Sequence, residues 1–175
     1  MCWRSFRFAA ALAFALMAFG GVANARTINI LAIGASNTAG KGVSENEAWP
    51  AVLEGMLKRK GYDAHVTVHA TNGLTSAQII GFTSSIPSGT QIVIFDTGSS
   101  NDRKRNLSPA QSAANKAEIV RRIRAHGAVA IKAPYGNPGG RGGYPKQADG
   151  IHFTPAGHRM VAAKLVSRVI AAVRR

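Results

Sequence analysis

The chain has a single cysteine, Cys2, and it lies ahead of every segment that reads as folded structure. A disulfide framework, a thiolate zinc site and a cysteine nucleophile are therefore excluded for residues 26–175. Acidic residues are scarce too, 8 against 22 lysines and arginines, for a formal charge of +14. Such a surface draws polyanions at long range. The aromatic residues, only 7% of the chain, do not interleave with its basic run, so charge alone does not argue for nucleic-acid binding, and none is expected. The longest apolar run, AAALAFALMAF, falls short of the ~20 residues that span a bilayer.

That run is preceded by Arg4 and Arg7 and followed by small residues ending in Ala23-Asn24-Ala25. This is the pattern of a secretory signal peptide, so residues 1–25 are expected to be removed and the protein to act in the periplasm or outside the cell. The remaining residues, 26–175, suit one domain. Without Arg4 and Arg7 they carry 20 basic against 8 acidic residues, or +12. Acidic glycans and phosphorylated lipid headgroups are the expected electrostatic partners; the ordinary alternative is a basic, well-solvated surface.

Short apolar runs alternate with longer helical patterns. TINILAI (27–33), DAHVTVHA (63–70), TQIVIFDTG (90–98) and AVAIKA (128–133) read as strands. AWPAVLEGMLKRKGY (48–62) and TSAQIIGF (75–82) read as helices. Ser108-Pro109 and Thr154-Pro155 each supply a cap followed by proline at the first helical position, opening two more. The last places Val161, Leu165, Val169 and Val173 on one stripe. Strand–helix alternation predicts right-handed crossovers, a parallel sheet covered on both faces, and a site beyond the carboxyl ends of the strands.

Those ends carry the chemically interesting residues: Ser36 after the first strand, Gly73 after the second, Asn101 after the third, and Asp149 and His152 after the fourth. Singly, each has a plain reading: a helix N-cap, a turn glycine, turn pairs, a surface histidine. Together they supply every role that acyl transfer needs. A serine hydroxyl needs a histidine to take its proton, the histidine needs a carboxylate, and the oxyanion needs converging N–H donors. The DGIH spacing lets one short turn hold Asp149 against His152.

Read in order, GASNTAGKGVSENEAWPAVL, ATNGLTSAQI, GSSND and DGIHFTPAGH resemble the four blocks of the SGNH (GDSL-type) hydrolase family, especially its small exported bacterial thioesterase, arylesterase and lysophospholipase members. The resemblance implies Ser36 as nucleophile, His152 as general base oriented by Asp149, and an oxyanion hole from the N–H groups of Ser36 and Gly73 with the side chain of Asn101. It implies no metal and no organic cofactor. Substrates would be small acyl esters or thioesters, lysophospholipids or O-acylated glycans, handled by a monomer. Three positions depart from the family pattern: Ala35 where the aspartate of Gly-Asp-Ser usually stands, Leu74 in place of an acidic residue, and GSSND one residue longer than usual. They motivate a rival reading, a degenerate member that binds anionic lipid or glycan without turnover.

Only 15 residues separate Ala133 from Asp149, where the family usually fits another helix and strand. The expected fold is thus a three-layer α/β/α, flavodoxin-like, doubly wound sheet trimmed to four strands in the order 2-1-3-4, with a flexible Gly-rich loop delivering Asp149 and His152. Arg103, Lys104 and Arg105 should ride on a loop rimming the site, with Arg141 and Lys146 adding to their field. Leu74, Ile79, Phe82 and Tyr144 are candidates for an acyl pocket or, equally, for the core. His65, His69, His126 and His158 read as structural, and Trp49 as a packing residue.

Overall fold

The structure is a computed structural model and describes residues 27–136 and 143–174. The expected signal peptide, residues 1–25, lies outside the described residues. Four strands, β1 (Ile28–Gly34), β2 (Ala64–Ala70), β3 (Ile92–Phe95) and β4 (Val129–Lys132), form a parallel sheet in the order β2-β1-β3-β4. This is the four-stranded order expected from the sequence. All three pairings are parallel, with Ile30 of β1 opposite Val66 of β2 and Ile92 of β3.

Side chains alternate across a strand, so the near-continuous apolar runs serve two cores at once. Ile28, Ile30 and Ala32 face one layer, where helix α2 (Trp49–Arg59) supplies Trp49, Leu53 and Leu57 and helix α6 (Pro155–Val173) supplies Val161, Leu165 and Val169. Leu31 and Ile33 face the other, against Ile119 and Ile123 of helix α5 (Pro109–Ala125) and Ile79 of the short helix α3 (Ser76–Ile79). Burying each such side chain is worth about 1.5–3 kcal/mol. Val173, the last member of the α6 stripe, is exposed at the helix end.

Two further short helices sit at the carboxyl edge of the sheet, α1 (Ser36–Ala39) directly after β1 and α4 (Ser99–Lys104) after β3. Helix α4 corrects the expectation of a basic loop: Arg103 and Lys104 form its last turn, and Arg105 caps it. The cause is a buried carboxylate. Asp102 accepts hydrogen bonds from the Ser76 N–H (2.7 Å) and the Ser112 hydroxyl (2.7 Å), pinning the segment to α3 and α5.

A histidine joins the two helices of the first layer. His158, fully buried in α6, accepts the Trp49 N–H on Nδ1 (3.1 Å) and so satisfies a donor at the α2 N-terminus that has no partner within its own helix. Burial pulls the His158 pKa down to about 4. With the folded pKa below the unfolded one, the unfolded chain binds the extra proton between about pH 6.5 and 4, and stability falls as pH falls through that window. The melting temperature of wild type should therefore exceed that of His158→Gln at neutral pH, with the gap closing between pH 6.5 and 4. A gap independent of pH in thermal melts would contradict this role.

Candidate active site

Strand β1 ends at Gly34, where no larger residue fits. A Cβ on Gly34 would lie 2.4 Å from Thr38 Oγ1 and 2.5 Å from the Cβ of Asp96, both far inside contact distance. The chain then turns into α1 through Ala35, an extended residue in the cap position whose side chain makes no capping bond. Ser36 is the first helical residue and not the N-cap. Its hydroxyl is free to point along the sheet edge.

A carboxylate from the neighbouring strand reaches the turn at Ala35. Asp96, at the end of the fully apolar β3, is buried and accepts the Ala35 N–H on Oδ2 (3.2 Å) and the Gly98 N–H on Oδ1 (3.0 Å). One carboxylate thus ties the Ser36 turn to the turn that leads into Asn101. Burial pushes the Asp96 pKa up, opposed by those backbone donors. Gly98, at the head of GSSND, adopts φ +57°, and a Cβ there would meet the Leu74 carbonyl at 2.8 Å. Asn101 rises from the first turn of α4 and donates one side-chain N–H to the Leu74 carbonyl (2.8 Å), which orients the amide beside Gly73. Neither the Ser36 N–H nor the Gly73 N–H has an acceptor among the described residues.

On the opposite wall, His152 Nε2 stands 2.9 Å from Ser36 Oγ. Its Nδ1 contacts Asp149 Oδ2, while Asp149 Oδ1 accepts the N–H groups of Ile151 (2.9 Å) and His152 (3.0 Å). The His152 bond first, then these two backbone donors, hold the Asp149 carboxyl well below the usual carboxylate range. Asn37, next to the serine, clamps the histidine from both flanks: its amide donates to the Ile151 carbonyl (3.4 Å) and its Oδ1 accepts the Phe153 N–H (3.1 Å).

The described stretch that bears Asp149 and His152 is tied by hydrogen bonds to its neighbours. Lys146 bridges to Phe153 in antiparallel fashion, and Gln147 donates to the carbonyls of Lys41 and Phe153 (2.9 Å each) while its N–H reaches the His152 carbonyl (2.8 Å). The Gly-rich part of the loop, 137–142, and with it Arg141, lies outside the described residues.

These groups surround a cavity of about 460 Å³ whose walls include Ser36, Gly73, Asn101 and His152. Arg103, Lys104 and Lys146 line it. Arg105 does not; its guanidinium reaches toward the Gly73 carbonyl (3.4 Å). The acyl-pocket candidates lie elsewhere. Tyr144 is buried in the first layer, edge-on to Phe153, and Leu74, Ile79 and Phe82 pack in the second layer, because apolar rings and branches gain more from the closed core than from an open polar cleft. Asp96 and Asn37 were not singled out from sequence. A carboxylate closing an otherwise apolar strand, and an amide among the small residues of GASNTAG, were the available signals.

Residues 32–148 match the sequence profile of the GDSL-like Lipase/Acylhydrolase family. The Esterase TesA of Pseudomonas aeruginosa is 31% identical over 107 residues, covering 58% of this chain and 51% of TesA, so the chain spans about half the length of that curated relative. A crystal structure of TesA superposes with a TM-score of 0.65 at 23% identity, over 83% of this chain and 97% of the other. The psychrotrophic esterase EstA from Pseudoalteromonas sp., solved inhibited by monoethylphosphonate, gives 0.69 at 15% identity, over 84% and 99%. At such identities the structural likeness speaks to the fold alone. The profile takes in well over half of the sequence, with Ser36, Gly73 and Asn101 inside it, and the chain belongs to the GDSL-like lipase/acylhydrolase family.

Proposed function

We propose that the protein is a serine hydrolase of carboxylic acyl esters or thioesters, exported after loss of residues 1–25. The observation that carries this reading is the serine–histidine–aspartate line, with Ser36 Oγ 2.9 Å from His152 Nε2 and Asp149 on the other ring nitrogen. That distance lies within hydrogen-bond reach for general-base activation. Membership of an acylhydrolase family and the esterase names of the similar proteins support it.

In this reading Ser36 Oγ attacks the acyl carbonyl as His152 Nε2 takes its proton. Asp149 fixes the imidazole tautomer and stabilises the imidazolium. The tetrahedral oxyanion is received by the N–H groups of Ser36 and Gly73 and by the amide of Asn101 that the Leu74 carbonyl orients. The intermediate collapses, His152 returns the proton to the departing alcohol or thiol, and a water activated by the same histidine releases the acid. The rival reading of a binder without turnover rests on Ala35, Leu74 and the lengthened GSSND. Asp96 accepts the Ala35 N–H, and the Leu74 carbonyl orients the Asn101 amide of GSSND, which supports the active form.

With p-nitrophenyl acetate as substrate, Ser36→Ala should lower kcat by about a thousandfold or more. Hydrolysis by wild type that survives in Ser36→Ala would overturn the assignment. Asp96→Asn, which cannot accept both backbone N–H groups without turning its NH₂ toward one of them, should lower kcat about tenfold or more with a smaller change in KM. An unchanged kcat in a folded Asp96→Asn protein would show that the turn does not depend on that carboxylate.

A further inference from the structure

The catalytic cavity is ringed by cations. Lys41 after α1, Arg103 and Lys104 on α4, Lys132 at the end of β4 and Lys146 in the late loop all line it, and all are exposed. They arrive from four separate segments of the chain, so no single basic run accounts for them. Among the described residues none of the five forms a salt bridge. With few acids in the chain most other described cations are unpaired as well, Lys58 with Glu54 and Arg121 and Arg122 with Glu118 being the exceptions. What sets these five apart is that they share one cavity wall.

None of the nearby acids forms an ion pair with the ring. Among the described residues Asp96 is the one carboxylate in the wall, and it is committed to the N–H groups of Ala35 and Gly98. Asp149 is committed to His152 and Asp102 to Ser76 and Ser112. Five like charges around one concave site repel one another unless an anion enters, and a cleft lined by one sign of charge focuses its field on what does. Meanwhile the wall offers little for a long hydrocarbon: its apolar side chains are confined to Ala35, Ala133, Tyr135, Ile151 and Phe153.

We infer that the substrate is a short-chain acyl ester whose alcohol portion carries an anionic group, a carboxylate or a phosphate, and that Lys41, Arg103, Lys104, Lys132 and Lys146 bind that group beside Ser36. The inference rests on the hydrolase reading and adds its substrate class. The ester carbonyl sits at Ser36 while the anion reaches the basic rim, and recognition comes from charge on the leaving side instead of from acyl length.

Matched pairs of esters test it. One pair is p-nitrophenyl acetate and its analogue bearing a carboxylate beside the nitro group; the other is monoacetylglycerol and acetylated glycerol phosphate. The quantity read is the ratio of kcat/KM, anionic over neutral, within each pair. At low salt the ratio should be about tenfold or more in at least one pair, and it should shrink steeply as salt shortens the screening length to roughly 8 Å and below. The pair that shows it assigns the anion as carboxylate or phosphate. The double variant Lys41→Gln/Lys104→Gln should lower that ratio, and because the ratio is taken within one sample, a partly unfolded variant cannot mimic the result. Ratios near one in both pairs with active wild type, or a ratio unmoved by salt and by the variant, overturn the inference and leave the hydrolase reading standing. Turnover of none of the four esters overturns both.

Discussion

A buried carboxylate at the carboxyl edge of the sheet organises this site. Asp96 ends a strand that is otherwise wholly apolar, and its two oxygens accept backbone N–H groups from the two adjacent turns, at Ala35 and Gly98. Removing a charge from water is costly, and only satisfied hydrogen bonds make it tolerable. The cost is bearable here because both oxygens are used, and the return is geometric: the Ser36 turn and the Asn101 helix are fixed relative to each other. Gly34 must be glycine so that Asp96 and Thr38 can close over it. With alanine at position 35, the carboxylate that reaches this turn comes from the end of the neighbouring strand.

The histidine wall is held by a different device. Asn37 bonds the residues on either side of His152, Gln147 ties the same loop to Lys41, and Asp149 uses one oxygen for the imidazole and the other for its own turn. Each bond is a modest ~1 kcal/mol on its own. Collectively they bring two segments more than a hundred residues apart into register at 2.9 Å. The serine carries its own clamp for the histidine, since Asn37 is the next residue along.

Much of the fold was legible because its signals are local or periodic. Four apolar runs marked the strands, the Ser-Pro and Thr-Pro caps marked the starts of α5 and α6, and the shortage of residues between Ala133 and Asp149 marked the trimmed sheet of order 2-1-3-4. Ser36, Asn101, Asp149 and His152 could be gathered because a parallel sheet brings its carboxyl ends together. What escaped was set by contacts distant in sequence. Helix α4 forms from a segment that reads as loop because Asp102 is captured by α3 and α5. Tyr144 packs into the core and half-buried Leu74 packs against it, and no pattern in a loop tells a chain which of its apolar side chains will find room inside. Asp96 and Asn37 act through backbone groups of other segments, which leave no mark on the sequence around them.

The basic surface, which from composition alone could be no more than solubility, takes a definite form at the site: exposed cations from four segments around a cavity whose carboxylates are already engaged. The fold, the Asp96 tie and the Asn37 clamp all converge on one hydroxyl, and the proposed chemistry requires that hydroxyl to be the nucleophile. The most direct measurement is treatment of the protein with a fluorophosphonate followed by intact-mass and peptide analysis. A single adduct, on the peptide bearing Ser36 and abolished by Ser36→Ala, is the predicted result; no adduct, or one on another serine, would contradict it.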